Sequence, residues 1–300
     1  MIDVTLIGTG GMLPLPDRWL TSMWLEYNGK ACLVDCGEGT QIAINKHRLK
    51  LSKLDIILMT HVHADHISGL PGLLLSLGNC GKTDTLKIYG HKGISNTIRQ
   101  LMCICPLLPF DVEICELQSD RGSEFVWNDI NVSSLPLRHG IDCLGYSFVL
   151  NRKPIFAPEK ARTLGVDVKL WRELHAGKSV TVAGETITPE MVTYGTRQPI
   201  KVTYMTDSRY FDGMISFAKN SDLLVSEGMY GDDEYIEKMN EKGHMVFSQS
   251  AKLAKASDSK ALWLTHYSPA LTRPSDYTES VRSIFSNTTV SSDGEYIKLK

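Results

Sequence analysis

A chain of 300 residues that is 42% hydrophobic and 22% charged can bury a sizeable core, as one large domain or two of ordinary size, and is not a disordered polymer. Its net charge of −2 excludes a globally basic surface, so any contact with nucleic acid must come from a local patch. The seven cysteines are odd in number and irregularly spaced, no signal peptide precedes them, and the apolar runs are too short to span a membrane; the expectation is a cytoplasmic protein with reduced thiols.

Residues 2–7 alternate in polarity and predict a strand at or near a sheet edge. Gly8-Thr9-Gly10-Gly11 ends it; no Gly-Lys-Ser/Thr follows, which leaves a tight turn rather than a phosphate-binding loop. Residues 23–27 and 31–34 flank Asn28-Gly29, a strong hairpin signal. Asp35-Cys36-Gly37-Glu38-Gly39-Thr40 closes that hairpin and opens a helix to about residue 48. Asp35 is placed either to cap the helix or to steady a metal-binding loop. Residues 56–59 read as a buried strand, and residues 69–75 as a turn entering a helix. Between them His61, His63, Asp65 and His66 fall within six residues. One surface histidine is ordinary; three with an aspartate on one short loop suit divalent zinc or a neighbouring first-row metal.

Further strands are expected at residues 86–89, 111–117, 124–127, 130–136 and 146–150, with a helix over 92–103. The strand at 130–136 runs into Leu137-Arg138-His139-Gly140, again a histidine after a strand. Cys103-Ile104-Cys105 reads as two buried thiols on one strand face. Strands mixed with helices, with His or Asp at strand ends, indicate a sheet-rich, layered α/β fold.

The pattern changes over about 151–199. Residues 158–165 predict a short helix with Pro at its start and Gly at its end. Residues 168–175 predict another, and 180–182 with 186–188 a hairpin. This stretch carries a net +3, against −5 for the remainder. Its surplus, which includes Arg162, Lys169, Arg172 and Lys178, fits either a solvated insertion or an arm that meets an anionic polymer. The sheet pattern then resumes. Residues 201–205 end in Thr206-Asp207-Ser208, residues 222–225 in Ser226-Glu227-Gly228, and residues 261–264 in Thr265-His266-Tyr267-Ser268. Helices are expected at 233–242, stopping at Gly243 just before His244, at 248–256 and near 274–285. Strands at 288–290 and 295–299 finish the chain.

Six of the nine histidines, His61, His63, His66, His139, His244 and His266, lie in the knot or share its strand-end setting; His47, His91 and His175 do not. A two-metal site needs about three ligands per ion and often a shared carboxylate, and it activates water near neutral pH. His61, His63 and His139 suit one ion, Asp65, His66 and His266 the other, and Asp207 is placed to bridge. That leaves His244 as a candidate general acid for a leaving oxygen, with Glu227 to orient it.

These residues carry a resemblance. Asp35 to Gln41, Thr60 to Leu70, Leu137-Arg138-His139 with Gly145-Tyr146, Thr206-Asp207-Ser208 and Thr265 to Ser268 resemble, nearly end to end, the motifs of the metallo-β-lactamase superfamily. The first of these, together with Gly243-His244 and the insertion, is similar to the ribonuclease Z family of tRNA 3′-processing endonucleases. The resemblance implies one domain over residues 1–300, built as a four-layer αβ/βα sandwich with an inserted arm. It implies two zinc ions per chain, with Mn²⁺ or another first-row metal as substitutes. It implies hydrolysis of precursor tRNA that leaves a 3′-hydroxyl on the tRNA body. Asp65 would then also serve as general base, and His244 with Glu227 would assist the leaving group. A homodimer is implied too, the arm of one subunit clamping tRNA bound by the other.

The chain departs from the family's pattern in three places. Residues 165–171 lack the usual Gly-Pro at the arm tip, Ser226-Glu227-Gly228-Met229 stands where His-Glu-Ala-Thr is usual, and Met245-Val246-Phe247 replaces the usual Ser-Thr after Gly243-His244. A phosphodiesterase of the same fold acting on other or smaller esters is the alternative. A tRNA- or partner-binding protein with an inactive metal site is a third reading, against which the complete ligand set counts.

Overall fold

The computed structural model describes residues 1–105 and 107–300. The chain divides into two compact units, residues 1–149 with 201–300, and residues 150–200.

In the first unit β1 (Ile2–Gly8), β2 (Ser22–Tyr27) and β3 (Lys30–Val34) form an antiparallel meander. The β2–β3 turn is the predicted Asn28-Gly29, both at positive φ, the geometry whose twist matches a hairpin. Then α1 (Thr40–Lys46), β4 (Leu54–Leu58), α2 (Ala64–Ile67), α3 (Leu70–Asn79), β5 (Leu86–His91), α4 (Ile94–Leu101) and β6 (Val112–Leu117) follow, with β3 to β6 parallel. Met102–Ile104 tighten into a 3-10 turn that continues α4, so the expected strand around Cys103 does not form. Cys103 is exposed and Cys105 buried. The chain next builds β7 (Glu124–Trp127), β8 (Ile130–Pro136) and β9 (Leu144–Leu150).

Residues 150–200 have their own small core. Ala161, Val166, Leu174, Val180, Ile187 and Val192 pack together, with Phe156 and Trp171 against them. α5 (Pro158–Thr163) starts on proline and is followed by Gly165 at φ +70°, as its sequence predicts. A 3-10 turn, Val168–Leu170, leads into α6 (Trp171–His175). β10 (Val180–Val182) and β11 (Glu185–Ile187) form a hairpin around Ala183-Gly184. The Tyr194 amide donates to Ile155 O at 2.9 Å, so entry and exit of this unit lie side by side.

The first unit resumes with β12 (Ile200–Met205), α7 (Gly213–Ala218), β13 (Leu223–Glu227), α8 (Ile236–Lys242), α9 (Phe247–Ala256), β14 (Leu262–Thr265), α10 (Thr278–Ile284), β15 (Thr288–Val290) and β16 (Tyr296–Leu299). Sequence pattern missed α7, a six-residue helix whose ends carry no capping side chain. One seven-stranded sheet has the order β16-β1-β2-β3-β4-β5-β6, the other β15-β14-β13-β12-β9-β8-β7. The Tyr146 hydroxyl of β9 donates to Met59 O beyond β4 at 2.6 Å, tying one sheet to the other. Side chains of α1, α3 and α4 pack on the first sheet, and those of α7, α9 and α10 on the second, which gives the α/β/β/α layering. β12 to β15 run parallel, as β3 to β6 do. Parallel strands throw their C-terminal residues to one edge, where ligands and catalytic groups collect.

Candidate metal centre

Every predicted site residue of the first unit except His244, which follows α8, follows or ends a strand at this edge. Asp35 follows β3. His61, His63, Asp65 and His66 follow β4. His139 follows β8, Asp207 follows β12 and His266 follows β14, while Glu227 is the last residue of β13. Asp35, Asp207 and His266 each sit at φ +60°. That left-handed conformation costs a non-glycine residue roughly 1–2 kcal/mol, but it swings the side chain sharply off the strand. Each fully buried leucine or isoleucine beneath them contributes roughly 1.5–3 kcal/mol, so a few core residues offset the strain.

The ligand atoms converge as two groups. His63 Nδ1 lies 3.0 Å from His61 Nε2 and 3.1 Å from His139 Nε2. His66 Nε2 lies 3.1 Å from His266 Nε2, and both are 3.5 Å from Asp65 Oδ2. Asp207 joins the groups: Oδ1 is 3.3 Å from His266 Nε2, Oδ2 is 3.4 Å from His66 Nε2, and it also shares a converging set with His61. Ligand atoms around a tetrahedral zinc stand about 3.3–3.6 Å apart, given bonds of about 2.0–2.2 Å. The observed separations are close to that. His47, His91 and His175 belong to none of the converging sets.

Hydrogen bonds fix which ring nitrogens point inward. Asp35 Oδ2 lies 2.9 Å from His66 Nδ1, and Thr60 donates its hydroxyl to the same carboxylate at 2.9–3.0 Å. With its proton so used, Thr60 Oγ1 accepts from His61 Nδ1 at 2.9 Å. One buried carboxylate thereby orients a histidine in each group, one directly and one through Thr60. His139 Nδ1 donates to Gly243 O at 3.1 Å. In each case the opposite nitrogen faces the centre. Asp35 is thus tied to the histidine loop through Thr60 and His66, while α1 is capped by Gly39. The Met12 amide donates to Asp65 Oδ2 at 2.7 Å, and a Cβ on Gly11 would stand 2.7 Å from His266 Cε1, so that glycine keeps room for the ring.

The family model described as anti-Pycsar protein Apyc1 matches residues 2–163, and the beta-lactamase superfamily domain model matches residues 149–267. Ribonuclease Z of Clostridium acetobutylicum is 44% identical over 298 residues, covering 98% of this chain and 96% of that protein. The chain belongs to the ribonuclease Z family. Ribonuclease Z of Lachnospira eligens is also 44% identical, over 300 residues that cover 100% of this chain and 98% of that one. Human tRNase Z, short form, matches with a TM-score of 0.72 at 24% identity, covering 99% of both chains. The metallo-beta-lactamase fold protein YhfI from Bacillus subtilis matches with 0.71 at 21%, covering 99% of this chain and 98% of that one. These two likenesses speak for the fold, which is the metallo-β-lactamase sandwich expected from the motifs.

Within this ribonuclease Z family member, two of the three departures meet in space. A Cβ on Gly228 would stand 2.5 Å from Phe247 Cδ1. The smaller residue after Glu227 and the larger one after His244 thus share one volume. Glu227 is held regardless. Ser208 N donates to Oε1 at 2.7 Å, Ser250 Oγ donates to its carbonyl at 2.6 Å, and Oε2 lies 2.8 Å from His244 Nδ1.

Burial pulls the His61 and His139 imidazoles down, keeping them neutral lone-pair donors. Burial also opposes charge on His66, but Asp207, Asp35 and Asp65 outweigh it and hold this ring up at about 10. Burial would raise Asp65 and Asp207, yet the surrounding histidines, His266 foremost, hold both carboxyls well below the usual range. Burial likewise lowers His244, while the charge and hydrogen bond of Glu227, with Asp207 behind, raise it to about 9. Asp207 Oδ2 is buried without a hydrogen-bond partner. Converging lone pairs, ionised carboxylates and that unpartnered oxygen fit divalent cations, since an uncompensated buried charge costs several kcal/mol.

His63, Asp65, His139, Asp207, His244 and His266 line a cleft of about 570 Å³, which α8 also borders. Arg162, Lys169, Arg172 and Lys178 are exposed on the 150–200 unit, where Arg162 stacks 5.3 Å over Trp171 and Lys178 pairs with Glu173 at 3.2 Å. Sequence reasoning missed Thr60, Gly11 and the Met12 amide. For Thr60 the signal was its place directly before the first motif histidine. For the other two, a glycine-rich turn says nothing of the ring above it.

Proposed function

We propose that this chain is a metal-dependent endoribonuclease that removes 3′ trailers from precursor tRNA and leaves a 3′-hydroxyl on the tRNA body. The observation that carries the reading is the end-to-end likeness to ribonuclease Z, joined to a Glu227–His244 pair set beside seven converging ligands. His61, His63 and His139 would hold one zinc ion and Asp65, His66 and His266 a second, with Asp207 between them. Mn²⁺ or another first-row ion fits the same donors. Bound there, the metal would activate water and offset charge on the phosphodiester.

The chain's own groups do the rest. Asp65, ionised and fixed at Oδ2 by the Met12 amide, keeps its other oxygen to take a proton from the attacking water. His244 holds a proton through Glu227 and delivers it to the leaving 3′-oxygen. In this reading the 150–200 unit is an arm whose Arg162, Lys169, Arg172 and Lys178 meet tRNA, the arm of one subunit serving the tRNA bound by its partner in a homodimer. All seven cysteines are free, which accords with work in the cytoplasm. No helix among the described residues is long and apolar enough to cross a membrane.

The test is precursor-tRNA cleavage by purified protein of measured metal content. Cutting just after the discriminator base, with about two zinc ions per chain, supports the reading. Hydrolysis of bis(p-nitrophenyl) phosphate without tRNA cleavage would transfer the site to smaller esters.

A further inference from the structure

We propose that α8 forms the subsite for the RNA strand on the 5′ side of the cut bond, with Lys238 and Lys242 each contacting a backbone phosphate. The inference rests on the reading of His244 as proton donor to the leaving oxygen. That oxygen is the 3′-oxygen of the nucleotide 5′ to the cut, so this nucleotide must face His244. α8 runs directly into Gly243-His244 and lines the same cleft, so this helix borders the place that nucleotide must occupy.

Lys238 and Lys242 line the same cleft as His244. Four residues apart, they share one helix side about 6 Å apart along the axis, a spacing suited to successive groups on one strand. Both are exposed, and neither enters an ion pair among the described residues. The acidic residues of α8, Glu237 and Glu241, are absent from the cleft lining, so the helix turns its positive charge inward.

The wall is also preorganised. Met229, Met239 and Val246 form a small core beneath it. Tyr235 stacks on Tyr230 at 4.3 Å, and the Lys238 ammonium lies 5.8 Å over the Tyr235 ring. Asp65 and Asp207 on the cleft floor, with Glu227 behind His244, would repel a polyanion. Cations on the wall offset that repulsion beyond the reach of the metal site.

The experiment uses full-length, metal-loaded protein and a tRNA that ends in a 3′-hydroxyl at the discriminator base, which cannot be cut. The variant K238Q/K242Q should bind it about tenfold more weakly and lower the slope of log affinity against log salt by about 1.4, the value for two single-strand phosphates. When the last two phosphates of the tRNA are replaced by neutral methylphosphonates, wild type and variant should bind alike. Equal binding of the unmodified tRNA by both proteins overturns the proposal, as does a deficit of the variant that persists on the neutral linkages. Precursor cleavage measured in parallel separates the two readings. Coupling without cleavage leaves the subsite standing and removes the endonuclease assignment; cleavage without coupling does the reverse.

Discussion

Glu227 Oε2 lies 2.8 Å from His244 Nδ1, and its other oxygen accepts the Ser208 amide, so carboxylate and imidazole are locked as a pair. A group whose pKa is raised to about 9 keeps its proton below that pH and loses it above. Turnover that needs the proton is therefore lost as pH rises through the folded value. Glu227→Gln removes the charge that raises His244, and the alkaline limb of kcat on precursor tRNA should move down by about one unit or more. His244→Ala should keep both metals and lose roughly 10²- to 10⁴-fold in kcat. An unmoved limb in the first variant would show that the proton sits elsewhere.

Thr60→Val should act on one half of the centre. Without the hydroxyl, His61 Nδ1 loses its oxygen partner and keeps only the weaker Cys143 thiol at 3.8 Å, while Asp35 still holds His66. The affinity of the ion at His61, His63 and His139 should fall roughly 10- to 100-fold, and that of the other ion far less. Metal titration with a cobalt spectrum resolves the two sites. Thr60→Ser should restore both, and equal weakening of both ions by valine would assign Thr60 a merely structural role.

Metal entry must expel a proton from His66, which its carboxylates hold up at about 10 in the metal-free protein. Zinc binding at pH 7 should release at least about one proton per chain, and affinity should rise about tenfold per pH unit below that value. Calorimetry in buffers of different ionisation heat counts the protons. A count of zero would mean that His66 is neutral before metal arrives.

Gly228→Ala places a Cβ against Phe247 and should destabilise the protein by about 1–3 kcal/mol. Phe247→Ala alone opens a cavity at about 3–5 kcal/mol. Together the two costs should fall short of their sum by about 0.5–3 kcal/mol, as urea unfolding would measure. Strict additivity would mean that they do not share the volume.

The two ends of the segment 155–195 lie side by side, Tyr194 N on Ile155 O, so its removal leaves residues 154 and 196 a short gap to close. Precursor-tRNA cleavage should fall roughly 10- to 1,000-fold through lost phosphate contacts, and bis(p-nitrophenyl) phosphate hydrolysis far less. Equal loss on both substrates would make this unit structural.

What was legible in the sequence was mostly which side chains converge. His61, His63, Asp65 and His66 crowd one loop, and His139, Asp207 and His266 repeat its setting after strands, so periodicity and residue type together located the edge. What escaped acts through backbone or shape. The Met12 amide has no residue signature, Gly11 matters because a ring lies over it, and Thr60 finds its acceptor 25 positions away on Asp35. The left-handed turns at Asp35, Asp207 and His266 were also hidden, since positive φ outside glycine is imposed by packing rather than written in propensity. Gly228 and Phe247 stood out as two separate departures and became one fact only in three dimensions.

The loop after β1 also has a bearing on synthesis. Gly11 underlies His266, the Tyr267 amide donates to Thr9 O, and Thr9 Oγ1 donates to Asp293 near the far end of the chain. The centre is thus closed by residues separated by almost the whole sequence. A nascent chain that has emerged as far as the first histidine knot holds His61, His63, Asp65 and His66 but lacks His139, Asp207 and His266. His266 joins the set only once β14 has been made, so the converging side chains are complete only late in synthesis.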